Sequence, residues 1–168
     1  WTIFRPSYMF GERFPFIEML KPIITFKPFL GVVGSGLNRI QPVLVDDVAK
    51  AIVDSIYDKE TARKTYDLGG PFDYAFVDLL QMVRDEFDLS GGVMTIPSQL
   101  SGKVFDMVKN IMPKNTLNLE LAQLLIADSF AEDESAREYF ELSNIALEDH
   151  LPAIVETLKE KKSGKGKS

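Results

Sequence analysis

The stretch that decides the fold is residues 1–14, WTIFRPSYMFGERF. The apolar run Trp1–Phe4, followed by an Arg-Pro pair, is typical of a buried strand that ends in a turn. A second stretch of this kind, KTYDLGG at residues 64–70, ends in two glycines. Strands that are apolar along their whole length are typical of a parallel sheet covered on both faces. Because two such strands cannot form that sheet alone, we expect its other strands in a segment that precedes Trp1.

The composition favours a globular α/β domain and argues against several kinds of chemistry. The 168 residues are 45% hydrophobic and carry a formal charge of -6, without the clustered basic face of a nucleic-acid binder. The absence of cysteine excludes disulfides, thiolate catalysis and cysteine-based metal sites. Lysine and proline interrupt the most apolar early segment, so we predict no transmembrane helix. We expect residues 1–158 to form the folded part and the basic residues 159–168 to form a disordered tail.

The spacing of apolar residues predicts five or six helices and a few short strands. The clearest helix is DDVAKAIVDSIYD at residues 46–58, capped by Asp46 or Asp47. Its predicted apolar face consists of Val48, Ala49, Ile52, Val53 and Ile56. A helix capped by Asp73 and a strand VMTIP follow, then helices over 100–111, 121–125 and 147–158, the last with Pro152 tolerated only near its first turn. The segment GVVGSGLNRIQPVLV at residues 31–45 resembles a hairpin with glycine turns, its strand Val43–Val45 starting after Pro42.

The side chains that could carry chemistry are few. His150 is the only histidine and lies among acidic residues, so we predict a solvated surface residue and neither a catalytic residue nor a metal site. Arg5 follows a buried strand at the edge where open parallel sheets bind ligands. Arg39 follows a glycine turn and could bind a phosphate or a carboxylate. For each arginine, the alternative is a structural salt bridge.

Three phrases occur in a familiar order: TIFRPSYMFG (2–11), RIQPVLVDDVAKAI (39–52) and TYDLGGP (65–71). Together they resemble the carboxy-terminal half of the extended and atypical short-chain dehydrogenase/reductases, the superfamily of NAD(P)-dependent epimerases and dehydratases. The wording around Gln41 and Pro42 is closest to the atypical branch that contains the nucleotide-binding accessory subunit of respiratory complex I. The resemblance implies a partial Rossmann-type fold that contributes the substrate side.

The resemblance also implies where ligands bind. In such proteins the amino-terminal half carries the glycine-rich dinucleotide loop and a Tyr-xxx-Lys pair, neither of which occurs in this chain. The implied contacts to the nicotinamide end of NAD or NADP come from Phe4, Arg5, Pro6 and Ser7. Arg39 and Tyr8 are the implied substrate-binding residues, and Asp47 matches an aspartate that is mainly structural.

The implied function is that of a piece of a larger protein. We expect the chain to be inactive alone and to bind NAD or NADP weakly or not at all. The intact protein would be an oxidoreductase or epimerase of the cytoplasm, or of an organellar matrix if it is a complex I relative. The alternative is a non-catalytic nucleotide-binding or protein-interaction module. Because its apolar strands lack neighbours, the isolated chain is expected to self-associate.

Overall fold

A computed structural model describes residues 1–12, 15–24, 30–33, 35–96 and 127–164. The predicted helices over 100–111 and 121–125 lie outside these residues. The strands are β1 (Ile3–Pro6), β2 (Met9–Phe10), β3 (Leu30–Val33), β4 (Arg39–Ile40), β5 (Val43–Leu44), β6 (Thr65–Leu68), β7 (Tyr74–Ala75) and β8 (Val93–Ile96). The helices are α1 (Phe16–Ile24), α2 (Val45–Tyr57), α3 (Phe76–Glu86), α4 (Ser135–Tyr139) and α5 (Leu147–Gly164), with a short 3-10 helix at Lys59–Thr61.

The chain divides into two compact units. The first contains Trp1–Ile17, Ile40–Asp73 and Ser129–Ser168, and the second contains Glu18–Arg39 and Tyr74–Asp128. The first unit therefore holds the β1–β6 pair and helices α2, α4 and α5. The second unit holds α3 and a parallel pair formed by β3 and β8.

The first unit is built on β1 and β6, which pair in parallel with Ile3 opposite Thr65 and Pro6 opposite Leu68. Helix α2 lies between these strands in the chain, which makes this a β-α-β crossover. Because side chains alternate along a strand, one face of the pair carries Phe4 and Tyr66, which pack in the core against α2.

The other face of the β1–β6 pair is open among the described residues. Trp1 is 72% exposed and Ile3 is 47% exposed. The prediction of a buried strand at Trp1–Phe4 is therefore wrong in its bounds and in its burial. The strand is Ile3–Pro6, and within the described part of the chain it is covered on one face only.

The predicted hairpin at residues 31–45 is wrong. β3 pairs with β8, and β5 pairs in parallel with β2, with Met9 opposite Val43. The apolar strands of this segment are thus joined to partners far away in the chain. The expected strand start after Pro42 is confirmed, since β5 begins at Val43.

Helix α2 occupies the predicted segment, but its predicted cap and apolar face need correction. Its N-cap is Leu44, and no side chain caps the helix. Val48 is buried, as predicted, whereas Ile52, Val53 and Ile56 are exposed. The face that packs on the sheet is instead completed by Ala51, which is fully buried. Periodicity identified the helix and misplaced its core side because the helix is apolar over more than one face.

Three further predictions concern α3, α5 and the end of the folded part. Helix α3 occupies the predicted segment, but its N-cap is Ala75 and not Asp73. Helix α5 begins at Leu147, where the apolar spacing places it, but Pro152 is its sixth residue, so the expectation that Pro152 lies near the first turn is wrong. Because α5 continues to Gly164, it extends into the basic segment 159–168, and the division at residue 158 stays a prediction.

Candidate functional site

The candidate site lies where β1 and β6 end in the first unit. Ser7 follows β1 directly, and its backbone N–H donates to the carbonyl of Leu68 at 2.9 Å, which extends the parallel ladder by one bond. The Ser7 hydroxyl donates to the carbonyl of Ser129 at 2.6 Å and lies 3.0 Å from the Ser129 hydroxyl. Ser7 is 9% exposed. Its polar atoms therefore fasten the strand end to the segment that precedes α4.

Arg5 forms an ion pair along the open face. Its Nε donates to Oδ1 of Asp67 at 2.6 Å and its Nη2 donates to Oδ2 at 2.9 Å. These two residues are partners in the parallel register, so the strand pairing itself brings them together. The hydrogen bond that Arg5 donates to Asp67 raises the pKa of Arg5. Of the two alternatives for Arg5, the salt bridge is present, and the 63% exposed guanidinium side chain also remains accessible to a ligand.

Phe4 and Pro6 occupy opposite environments. The Phe4 ring stacks on Tyr66 with centroids 5.8 Å apart and meets the edge of Phe140 at 5.6 Å. Pro6 is exposed and has no backbone N–H to donate. In the predicted cofactor segment, the polar side chain that can reach a ligand is thus that of Arg5.

Tyr8 and Arg39, the predicted substrate residues, belong to different units. The Tyr8 ring stacks on Phe16 at 5.3 Å, and the Tyr8 carbonyl accepts a hydrogen bond from the N–H of Val43 at 3.0 Å. Arg39 is exposed, and its backbone N–H donates to Oδ1 of Asp128 at 2.7 Å. Tyr8 therefore lies next to the candidate site in the chain, while Arg39 belongs to the second unit.

A buried glutamine organises the site, and sequence reasoning had not assigned it a role. Gln41 is 2% exposed. Its Nε2 donates to the carbonyl of Gly70 at 3.0 Å and to Oε1 of Glu134 at 3.1 Å, and its Oε1 accepts from the N–H of Ala131 at 2.8 Å. A Cβ on Gly69 would lie 2.3 Å from Oε1 of Gln41, so the glycine leaves room for this amide. In the sequence, the signal for this contact is the presence of both a Gln-Pro at residues 41–42 and a Gly-Gly at residues 69–70.

Asp47 has the structural role that the resemblance implied. It is 7% exposed, and its carboxylate accepts hydrogen bonds from the N–H of Ser143 at 3.1 Å and from the Ser143 hydroxyl at 2.8 Å. This contact joins the first turn of α2 to the segment between α4 and α5. No described contact of Asp47 points to catalysis.

A cavity of about 430 Å³ runs along β6 and α4. Arg5, Lys64, Asp67 and Asp133 give its lining charges of both signs, and Tyr139 lines it as well. The Tyr139 hydroxyl donates a short hydrogen bond to Asp58, which raises the pKa of Tyr139 to about 12 and lowers that of Asp58. The cavity can hold a small polar group beside the ion pair.

The described part of the chain was predicted to contain neither a metal site nor a membrane-spanning helix. His150, predicted to be solvated, is half-buried, and its ring meets Phe10 edge-on at 5.9 Å. Within the described ranges, no group of three or more His, Cys, Asp or Glu residues could hold a metal ion. Among the same residues, no helix is both long enough and apolar enough to cross a membrane.

The fold is that of the NAD-dependent epimerases and dehydratases. The structure of UDP-glucuronic acid 4-epimerase from Bacillus cereus, in complex with UDP-glucuronic acid and NAD, matches 95% of this chain with a TM-score of 0.63 and 16% identity. The dTDP-glucose 4,6-dehydratase of Bacillus anthracis, in complex with NAD, matches 96% with a TM-score of 0.61 and 15% identity. The match covers 45% of each of those chains. The predicted partial Rossmann-type α/β fold is thus confirmed.

Sequence relatives point to one branch of this class. The chain is 35% identical over 85 residues to NADH dehydrogenase [ubiquinone] 1 alpha subcomplex subunit 9, mitochondrial, of Arabidopsis thaliana, a match that covers 50% of this chain and 21% of that protein. It is 29% identical over 100 residues to the NADH-ubiquinone oxidoreductase 40 kDa subunit, mitochondrial, of Neurospora crassa, covering 59% and 25%. A rice protein named Cyclin-B1-2 is 41% identical over 76 residues, covering 44% and 19%.

These relatives confirm the predicted resemblance to the branch that contains the complex I accessory subunit. No family model matches the chain. The matched region spans only a fifth to a quarter of each curated relative, from 19% to 25% of its length.

Proposed function

We propose that this chain is the carboxy-terminal, substrate-side part of an NAD(P)-binding protein of the short-chain dehydrogenase type, and that it is inactive alone. The observation that carries the proposal is the asymmetric coverage: 95% of this chain matches an epimerase of which it accounts for 45%. The open face of β1 and β6 supports the same view, because a parallel sheet of this class is normally covered on both faces.

The proposed cofactor contact is made by Phe4, Arg5, Pro6 and Ser7 at the nicotinamide end of NAD or NADP. Because Ser7 uses its N–H and hydroxyl within the protein, the Arg5 guanidinium is the polar side-chain group that this segment offers to a ligand. A guanidinium can donate a hydrogen bond to the carbonyl oxygen of the nicotinamide carboxamide. The pyrophosphate is normally held by free N–H groups at a helix start, which residues 4–7 do not form. The rest of the cofactor would bind to the half that carries the glycine-rich loop.

The test is a titration of NAD(H) and NADP(H) into this chain and into the full-length protein by calorimetry. We expect binding by the full-length protein only, because the isolated chain offers contacts to one end of the cofactor. Low-micromolar binding by the isolated chain would contradict the proposal.

Arg5 provides the matched test of the site itself. In the full-length protein, we expect Arg5→Ala to weaken ligand binding by about 10- to 100-fold, the equivalent of one charge-assisted hydrogen bond. Arg39→Ala is a separate test, because the resemblance implies that Arg39 binds the substrate. Unchanged affinity together with a large fall in melting temperature would assign Arg5 to the Asp67 ion pair alone.

A second candidate function is a nucleotide-binding subunit without turnover, as in an accessory subunit of respiratory complex I. The observation that favours it is the 35% identity to a mitochondrial NADH dehydrogenase subunit. On this proposal the intact protein resides in an organellar matrix, whereas a cytoplasmic location goes with the enzyme. Co-purification of the full-length protein with an NADH dehydrogenase, without turnover of nucleotide sugars, would support the second candidate. Turnover of a nucleotide sugar would support the first.

A further inference from the structure

Strand β6 has one edge without a partner strand in the described part of the chain, where it pairs with β1 alone. The carbonyls of Lys64 and Leu68 accept hydrogen bonds from the β1 side, so the backbone groups of these two residues point toward β1. Because backbone groups alternate in direction along a strand, those of Thr65 and Asp67 point to the opposite edge. No described hydrogen bond outside the β1–β6 ladder uses the N–H or the carbonyl of Thr65 or Asp67. We call this edge the outer edge of β6.

The cavity of about 430 Å³ borders the outer edge of β6. Its lining includes Thr65 and Asp67 from one face of the strand and Tyr66 from the other face. The two faces of a strand meet only at its edges, and the other edge of β6 is occupied by β1. The remaining wall of the cavity includes Ser135 and Tyr139 of α4. An exposed sheet edge with room beside it is a place where proteins bind an extended peptide as an added strand.

The hydrogen bonds of the charged side chains in this lining indicate the sign of such a peptide. Both carboxylates already accept hydrogen bonds: Asp67 accepts two from Arg5, and Asp133 accepts one from the N–H of Ser135 at 2.8 Å. Both cations keep donors without a described hydrogen bond, namely Nη1 of Arg5 and the ammonium of Lys64. An incoming carboxylate would therefore meet unused donors, whereas an incoming cation would meet acceptors that are already in use.

We propose that the outer edge of β6 binds an extended acidic segment of a partner protein. The segment adds a strand to the sheet, and its backbone pairs with the N–H and carbonyl groups of Thr65 and Asp67. An aspartate or glutamate of the segment enters the cavity and accepts hydrogen bonds from Arg5 and Lys64. Arg5 also belongs to the proposed cofactor contact. The test therefore varies Thr65 and Lys64, which take no part in that contact, so that the two proposals can fail separately.

The experiment titrates two short labelled peptides into the full-length protein by fluorescence anisotropy, one of alternating threonine and glutamate and one of alternating threonine and lysine. We expect the acidic peptide to bind about tenfold more tightly, because it pairs with two cations. Glu132 lies near Arg5 and Asp58 lies near Lys64, without a described hydrogen bond in either pair, so the basic peptide tests the sign directly. Equal affinities, tighter binding of the basic peptide, or no binding of either peptide would overturn the inference.

Two variants separate strand pairing from charge attraction. Thr65→Pro removes an N–H that points to the outer edge and not into the ladder with β1, a position where a strand tolerates proline. It should weaken binding of the acidic peptide about 3- to 10-fold, the equivalent of one hydrogen bond. Lys64→Ala should weaken it about 2- to 5-fold, while Lys159→Ala, on the exposed side of α5 and outside the cavity lining, should not. Unchanged affinity in both Thr65→Pro and Lys64→Ala would overturn the inference.

A modified peptide covers the case in which Thr65→Pro does not fold. The acidic peptide with N-methyl groups along its backbone keeps its charge and lacks the N–H donors that an added strand needs. We expect it to bind the unchanged full-length protein at least as weakly as the unmodified peptide binds Thr65→Pro, and equal affinity of the two peptides would overturn the inference. Conversion of a full-length dimer into a monomer by Thr65→Pro, without peptide binding, would assign the outer edge to a second copy and would also overturn it.

Discussion

Replacing Gln41 with methionine should destabilise the chain more than the loss of one surface hydrogen bond could. Methionine has a similar volume and length, so the change removes polar atoms with little change in packing. The Gln41 amide bonds Gly70 and Ala131, and both contacts are buried. In the variant, the carbonyl of Gly70 and the N–H of Ala131 lose this partner and have no other described one.

The magnitude follows from the two unpaired groups. Leaving a buried donor or acceptor unsatisfied costs about 1–3 kcal/mol, so the expected loss is about 2–6 kcal/mol. Native domains are stable by only about 5–15 kcal/mol, which makes this a large fraction of the total. In a chain of this size each kcal/mol corresponds to about 2–4 °C in melting temperature.

The assay is urea unfolding followed by circular dichroism, with Gln81→Met as the matched control. Gln81 donates to Asp85 at 2.7 Å on the exposed side of α3, and such i, i+4 pairs contribute about 0.2–0.5 kcal/mol. A loss for Gln41→Met that is no larger than the loss for Gln81→Met would refute the reasoning. It would mean that water or a local shift satisfies the groups around position 41.

The remaining predictions concern one glycine, one ionisable pair and the open strand edge. Gly70→Ala should destabilise the chain by about 1–3 kcal/mol in the same assay, because the new Cβ would lie 1.8 Å from the carbonyl oxygen of Pro42; unchanged stability would show that the turn relaxes. The pKa of Tyr139 rises from 10.0 to about 12 through its hydrogen bond to Asp58, so this contribution to stability is present below pH 10 and is lost between pH 10 and 12. Tyr139→Phe should flatten the decline of the urea midpoint over that range, and Tyr57→Phe should not. Light scattering should show self-association of this chain and not of the full-length protein at the same concentration, whereas a strictly monomeric chain would mean that the edge of β1 is covered.

Several elements could be predicted because their signals are local. The glycine pair after KTYDL ends β6 at Leu68, and the apolar spacing after residue 45 marks α2 within one residue of its predicted bounds. Both signals depend on neighbours within a turn or two of the chain. The spacing of apolar residues and the positions of glycines are therefore enough to locate such elements.

The candidate site could be predicted only in part. The sequence placed Arg5 at the end of a strand and left a ligand and a salt bridge open. The salt bridge forms because β1 and β6 pair in a register that sets Arg5 opposite Asp67. The hydrogen bonds of Gln41 likewise join residues that are 29 and 90 positions away along the chain. A local sequence pattern does not indicate which residues so far apart in the chain will meet.

By itself, the sequence determined the α/β class, the resemblance to the short-chain dehydrogenases and the positions of β6, α2 and α3. Only the tertiary structure decided that β3 and β5 pair in parallel with distant strands and do not form a hairpin. It also decided that Ala51 faces the sheet while Ile56 faces outward. The physical reason is that pairing and burial depend on which segments meet in space, whereas a sequence pattern specifies only that an apolar face exists.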